Sequence, residues 1–460
     1  MAGAQWRASS RERHPILSTF TPEHAAALPG SPWLQARRTA AAEAFASAPL
    51  PTEKDEVWRY SRIDRLDLDR YRAPDAADQG SDGGQGSSAS DRVRSLVDAL
   101  GPRSGLMVTI NGVLATVACT APEESVSIGR LTEHADARVL LGAVATDPGD
   151  FVLLNDAFSI DPLVVDVAPG VTLDDPVVVV HVVNGRSERA VFPRTVVRAG
   201  AGSSAAVVEL VVDVDSGLLA VLAPVDTAAD PPAHLVVPVT ELQVADGASL
   251  AYVGVQSLGS ATWQLAHQAS VIGAEAHLHS FAVALGGGYA RLRTDSSLAG
   301  ESGTSKLRAA YLGRDDQMLD FRTLQDHVAP RTTSDLLFMG AVADRSHSVY
   351  SGLIRVRPGA VRSDAMQTNH NLVLDEGAHA DSVPNLDIEE NDVRCSHGST
   401  VGPVDEDQRY YLESRGVEPS VAERLIVAGF FEDIASQVPV AGARATISRA
   451  LADRTGEHGA

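Results

Sequence analysis

From about Leu106 onward, apolar side chains come in short runs that are soon closed by Gly, Pro, Asp or Ser. Val164-Val165-Asp166-Val167, Val177 to Val183, Ala205 to Val214, Leu250 to Gln256 and His277 to Leu285 are such runs. They are rich in β-branched residues and shorter than ordinary helices, so they predict strands. A turn-and-strand phrase recurs between them: Ala168-Pro169-Gly170-Val171-Thr172-Leu173, Ala245-Asp246-Gly247-Ala248-Ser249-Leu250 and Ile272-Gly273-Ala274-Glu275-Ala276-His277. Gly247, Gly273 and Gly300 stand 26 and 27 positions apart. Drifting self-similarity at that scale fits a β-solenoid, whose rungs stack because no rung buries its face alone. A β-sandwich produces strands of the same length, and the periodicity leaves both architectures open.

The two ends of the chain have a different texture. Ser31-Pro32 reads as an N-cap and first-turn proline ahead of an Ala-, Arg-, Glu- and Leu-rich helix from Trp33 to Ser47, closed by Pro49-Leu50-Pro51. A second N-terminal segment opens at Thr52 and Asp55 and carries Trp58, Tyr60, Ile63 and Leu66. Residues 73–91, dense in Gly, Ser, Asp and Ala, predict a flexible segment. Beyond Pro403 the acidic start at Asp405, Glu406 and Asp407 and the Arg415-Gly416 stop bound one helix. Pro419 opens another, with Val421, Leu425, Ile426, Phe430 and Ile434 on one stripe, and a third runs from about Ala441 to Leu451. The expected organisation is a helical region over 1–104, a β core over 105–402 and a helical domain over 403–460.

Charge narrows the function. With 38 Lys and Arg against 60 Asp and Glu, the formal net charge is −22. Such a field repels phosphate backbones and anionic lipid, which argues against nucleic-acid and membrane-surface partners. The length and a 44% hydrophobic content are enough for two or three domains with a large core. Two cysteines, Cys119 and Cys395, make no disulfide framework and point to a reducing compartment. Residues 1–15 are polar and Arg-dotted, without a secretory signal. The longest apolar run, Val177 to Val183, contains His181 and falls far short of the ~20 residues a span needs. The expectation is a cytoplasmic protein.

Several motifs imitate known chemistry and fail on inspection. Gly300-Glu301-Ser302-Gly303-Thr304-Ser305-Lys306-Leu307 resembles a phosphate loop, but Ser305 replaces the glycine before the lysine and Leu307 replaces the magnesium-binding hydroxyl. Lys54, the other lysine, has no glycine frame, so ATP hydrolysis by this chain is not expected. Gly200-Ala201-Gly202-Ser203-Ser204-Ala205 is followed by Val207-Val208 rather than a helix and reads as a turn between rungs. His277 and His279 share a strand face without a Cys or carboxylate cluster, and His327 reads as a structural histidine beside a turn. A polysaccharide-acting β-solenoid enzyme, the reading from a different class, needs a patterned carboxylate groove that is not evident.

One stretch carries chemistry: Arg394-Cys395-Ser396-His397-Gly398-Ser399-Thr400-Val401-Gly402. In an extended segment Cys395 and His397 point to the same face, offering a thiolate and an imidazole to iron or zinc, or a nucleophile beside a base. A plain buried Cys next to a surface His is the competing reading. An iron–sulfur cluster commonly takes four ligands, and two distant cysteines cannot supply them. Any cluster handled here must be shared with another chain.

This stretch, with Asp387-Ile388, Asp405-Glu406 and Tyr411-Leu412-Glu413-Ser414-Arg415-Gly416 around it, resembles the SufB/SufD family of iron–sulfur cluster assembly scaffold proteins, in its SufD form. Gln367-Thr368-Asn369, Asn371 to Leu374, Pro384 to Ile388 and Ser351 to Val356 resemble further blocks of that family. The likeness is dense from about Gln325 to Phe431 and thin before Asp161. It implies a right-handed parallel β-helix flanked by helical domains. It implies a non-catalytic scaffold that pairs with a SufB paralogue through the β-helices and docks the SufC ATPase through Leu425, Ile426 and Phe430 of the C-terminal helices. His397 is the implied ligand of a transient, shared iron–sulfur cluster at the SufB interface, with Cys395 beside it. A SufB-type chain would carry a glutamate-rich stretch here and more cysteines, so the SufD form is the better match.

Overall fold

The computed structural model describes residues 19–75, 87–145, 149–185, 188–213 and 233–456. Short strands wind into a parallel β-solenoid of about seven turns, whose two facing sheets have 10 and 11 strands. Register is carried straight up the stack: Leu250, Leu278, Ser305, Ser334, Ala365 and Cys395 occupy one column of the 10-stranded sheet. Parallel rung-on-rung pairing excludes the β-sandwich. Among the described residues only the first strands depart from it: Gly105–Ile110 pairs antiparallel with Val113–Cys119, and Val126–Arg130 with Leu163–Val167.

A stacked backbone corner explains why the chain bends where it does. Gly202, Gly247, Glu275, Ser302, Arg331 and Arg362 all have φ between +54° and +67°. The amide of each donates to a carbonyl of the next rung: Gly247 to Ala274, Glu275 to Glu301, Ser302 to Pro330, Arg331 to Val361. Glycine takes this conformation without strain, whereas the later residues hold it because the ladder satisfies their amides. Glycine therefore leaves the corner itself after Gly247 although the turn geometry persists, and Gly273 and Gly300 stand two residues before it. Gly300 remains because a Cβ there would come 1.9 Å from the Ala274 nitrogen.

Two helical layers cover the outside. In chain order the helices are α1 (Pro22–Ala27), α2 (Pro32–Ser47), α3 (Ser87–Ala99), α4 (Ala137–Leu140), α5 (Asp150–Phe158), α6 (Glu406–Ser414), α7 (Pro419–Ala435) and α8 (Ala441–Gly456). Helices α2 and α5, with Phe20 just ahead of α1, pack Phe45, Phe151 and Phe158 against Leu265, Tyr289 and Val349 of the 11-stranded sheet. Helices α3, α7 and α8 pack Leu96, Phe431, Ile434 and Ile447 on the outer face of the 10-stranded sheet, against Leu210, Phe281 and Met339. Three sequence expectations change. Residues 87–91 belong to α3 rather than to a flexible segment, Ala73 is buried, and 76–86 lie outside the described residues. The strand region contains a helical insert, α4 and α5. On α7 the fully buried positions are Ala422, Val427, Phe431, Ile434 and Ala435; of the expected stripe Ile434 is therefore buried, Ile426 and Phe430 pack partly on the same core, and Leu425 is exposed. Among the described residues, no helix is long and apolar enough to cross a membrane.

Candidate functional site

The last two strands, His379–Ile388 and Arg394–Gly402, each form the terminal edge of one sheet. Their inward columns continue those of the buried rungs below: Ala380, Leu386 and Ile388 lie over Ser348, Ile354 and Val356. Cys395, His397, Ser399 and Val401 lie over Ala365, Gln367, Asn369 and Asn371. Nothing among the described residues stacks on these final side chains. Leu386, Ile388 and Val401 are about 40% exposed, at 37%, 42% and 43%. The solenoid thus ends in an uncapped core, and two unpaired strand edges border it. Such edges are templates for pairing with another chain, which soluble proteins otherwise blunt.

His397 sits in this open rung, exposed. Cys395 shares its face, as the alternation of side chains requires. The thiol leans on Ile354, Val356, Ala360 and Ala365. Burial, then the Asp364 carboxylate, pushes its pKa up, so at neutral pH it is a thiol rather than the thiolate that the motif invited. His397 is the more accessible side chain of the pair. Cys119 is remote in sequence and exposed, on the strand Val113–Cys119.

Beneath His397 the interior is polar, and the sequence reading missed this. Gln367, Asn369 and Asn371 are buried on the inward face of the strand Asp364–Val373. Asn371 Nδ2 donates to Asn369 Oδ1 at 2.7 Å, and Asn369 Nδ2 donates to the Tyr311 hydroxyl at 2.9 Å. The Tyr311 hydroxyl closes the ring on Asn371 Oδ1 at 2.7 Å. Tyr350 donates to Gln367 Oε1 at 3.2 Å, and Gln367 Nε2 donates to the Asn385 carbonyl at 3.2 Å. A closed network of this kind fixes side-chain positions, because breaking it strands buried polar atoms. It forms a rigid polar floor one rung below His397. The signal was present as period-two polar residues, Gln367-x-Asn369-x-Asn371, where a solenoid interior is normally apolar.

Other singled-out motifs resolve structurally. Residues 300–303 form a rung turn leading into the strand Thr304–Gly313. There Ser305 Oγ lies 2.8 Å from Ser296 Oγ, and Leu307 packs in the core. Gly202 turns between rungs into the strand Ser204–Asp213. His327 is buried between Thr332 Oγ1 at 2.7 Å and Ser334 Oγ at 2.8 Å, and burial lowers its pKa to about 4. His279 is likewise lowered to about 4, by burial and then by Lys306 and Arg308, a cationic setting unsuited to a metal ion. In the C-terminal helices Leu425 is exposed, while Ile426 and Phe430 are half-buried. Ile426 joins Asp407, Gln408, Tyr411 and Leu412 around an open depression between α6 and α7. Tyr410 and Tyr411 are exposed beside it.

Comparison with known proteins bears on this arrangement. The family described as SUF system FeS cluster assembly, SufBD core domain, matches residues 181–430. An iron–sulfur cluster assembly SufBD family protein of Mycobacterium tuberculosis is 35% identical over 219 residues, 46% of this chain and 55% of the relative. The iron–sulfur cluster assembly protein SufD of Escherichia coli is 31% identical over 193 residues, 42% of this chain and 46% of the relative. SufD of Bacillus subtilis is 28% identical over 207 residues, with coverages of 45% and 47%. The chain therefore spans about half the length of the curated relatives it matches.

Proposed function

The chain belongs to the SufBD family of iron–sulfur cluster assembly proteins, and from that premise we propose that it is a SufD-type scaffold subunit of a Suf complex. Its open solenoid end pairs with a SufB-type paralogue, edge strand to edge strand, and buries Leu386, Ile388 and Val401. His397 then faces the partner and supplies an imidazole to a transient iron–sulfur cluster whose remaining ligands come from the other chain. The cluster is cargo built at the joint, not a resident cofactor. The uncapped final rung carrying His397 is the observation that carries this reading.

Each group has a defined part. The Gln367–Asn369–Asn371 floor orients the last strand. The protonated Cys395 stays in reserve: its thiol becomes a ligand only where a metal or a partner's positive charge displaces the proton. ATP hydrolysis falls to a SufC-type ATPase, because the Gly300–Leu307 turn lacks the parts of a phosphate loop. Exposed Tyr410, Tyr411 and Leu425, with half-buried Ile426 and Phe430, support a docking face for that subunit on α6 and α7. The balance of the chain's role is non-catalytic.

Co-purification from the native host tests the proposal. A SufB-type chain and a SufC-type ATPase should elute with this protein, and substituting Leu386 and Val401 by Asp should release the first and keep the second. Isolation of the chain without either partner would overturn it.

A further inference from the structure

A second cluster of metal-ligating groups lies on the outer face of the 11-stranded sheet, away from the strand that carries His397. His347 begins the strand His347–Val356, and His379 is its register partner one rung up. Asp381 follows His379 at i+2 and shares its outward face. The rings of His347 and His379 stand 5.1 Å apart. Both imidazoles converge on one carboxylate: His347 Nε2 is 2.7 Å from Asp381 Oδ2, and His379 Nε2 is 3.3 Å from Asp381 Oδ1. The three ligand atoms all lie within 4.8 Å of one another.

The spacing matches what a small divalent ion demands. Bonds of about 2.0–2.2 Å in tetrahedral geometry put ligand atoms about 3.3–3.6 Å apart, so small rotations bring all three onto one centre. The backbone is fixed at both histidines: the His347 amide donates to the Gln317 carbonyl at 2.9 Å, and the His379 amide to the Ser346 carbonyl at 3.0 Å. Burial holds the His347 imidazole below its ordinary pKa despite the adjacent Asp381 carboxylate, which leaves its lone pair available at neutral pH. The Arg62 guanidinium acts on His347 in the same direction, but its own hydrogen bond goes to the Asp316 carbonyl at 2.6 Å. His379 is largely exposed and His347 and Asp381 about a quarter exposed, so an ion has a path in and solvent can complete its coordination.

We propose that His347, His379 and Asp381 form a binding site for one divalent first-row transition ion, Fe²⁺ or Zn²⁺, with at least one coordination position open to water. Two nitrogens and one carboxylate oxygen are the donor set that such borderline ions prefer over Mg²⁺ or Ca²⁺. The site uses no side chain of the strand Arg394–Gly402 and does not depend on the role assigned to His397.

The test is titration of the chelator-treated, untagged chain with Co²⁺, followed by visible absorption, then competition with Zn²⁺ and, without oxygen, with Fe²⁺. One equivalent of Co²⁺ should bind with the spectrum of nitrogen and oxygen ligands and no thiolate charge-transfer band. His379→Gln and Asp381→Asn should each weaken binding at least about tenfold, since even loss of a partner behind a ligand costs that much. Their melting curves should match the parent, and His397→Ala and Cys395→Ser should bind Co²⁺ normally. Zn²⁺ should compete more tightly than Fe²⁺, the ordinary affinity order, and the reverse order would assign an iron site. Absence of saturable binding, binding unchanged in both His379→Gln and Asp381→Asn, or binding lost in Cys395→Ser would overturn the assignment.

Discussion

Helix α7 has one buried and one exposed face, and substitution of one residue on each separates them. Ile434 is fully buried against the outer face of the 10-stranded sheet, whereas Leu425 is 53% exposed. Ile434→Ala removes three carbons at about 0.8 kcal/mol each and leaves a cavity, together about 3–4 kcal/mol. That loss falls on the docking of α7 and α8, so their opened state should become roughly 150- to 700-fold more populated. Leu425→Ala removes a half-solvated side chain and should cost about 1 kcal/mol or less. Amide hydrogen exchange along residues 419–456 reads the difference. Ile434→Ala should accelerate exchange there while leaving the strands between 304 and 356 protected; Leu425→Ala should leave exchange unchanged and weaken only binding of the proposed ATPase subunit. Faster exchange in Leu425→Ala with none in Ile434→Ala would mean that the inward and outward faces of α7 have been interchanged. The same packing warns against a deletion from Glu418 onward, because it would uncover Phe281, Val283 and Met339 and invite aggregation.

Three further outcomes follow from buried groups. His327, with its pKa lowered to about 4 in the fold and near 6.5 when unfolded, binds fewer protons native than unfolded between those values. Its contribution is therefore complete above pH 6.5 and lost as pH falls toward 4, at up to about 1.4 kcal/mol per pH unit; denaturant titrations of His327→Gln should show a shallower acid limb. Asn369→Leu takes a donor from the Tyr311 hydroxyl and the acceptor that Asn371 uses, so urea midpoints should drop by the equivalent of about 1–3 kcal/mol per stranded group. Gly340→Ala places a Cβ 1.9 Å from the Tyr311 ring and should cost about 1–3 kcal/mol by overpacking, with recovery in the Tyr311→Leu background.

The solenoid was half legible from the chain. Strand lengths and the Gly247, Gly273 and Gly300 phrases announced stacked rungs, yet they did not separate a solenoid from a sandwich. The deciding feature, the positive-φ corner, passes from Gly247 to Glu275, Ser302, Arg331 and Arg362, where no residue type marks it. Helical texture at both ends was plain, but α4 and α5 hide among apolar residues that suit a strand equally well. The stripe on α7 was placed in part: Ile434 is buried and Ile426 and Phe430 pack partly on the core, but Leu425 faces outward although its spacing is as periodic as theirs. Only the sheet underneath chooses between them. At the site, Cys395 and His397 stood out by type and spacing. The protonated state of Cys395 did not, since it arises from Ile354, Val356 and Asp364, far away in sequence. His347 and His379 are separated by one whole turn of the solenoid and become neighbours only through register.

The account's central claim is that His397 is a ligand at a shared site. It is tested by reconstituting iron and sulfide onto the assembled complex with SufB- and SufC-type partners carrying either the parent chain or His397→Ala. Size-exclusion chromatography would show assembly, and visible absorption the cluster. The claim predicts that His397→Ala elutes as an intact complex with the parent's melting curve and forms little or no cluster. A His397→Ala complex that assembles normally and reaches the parent's full cluster content would contradict it.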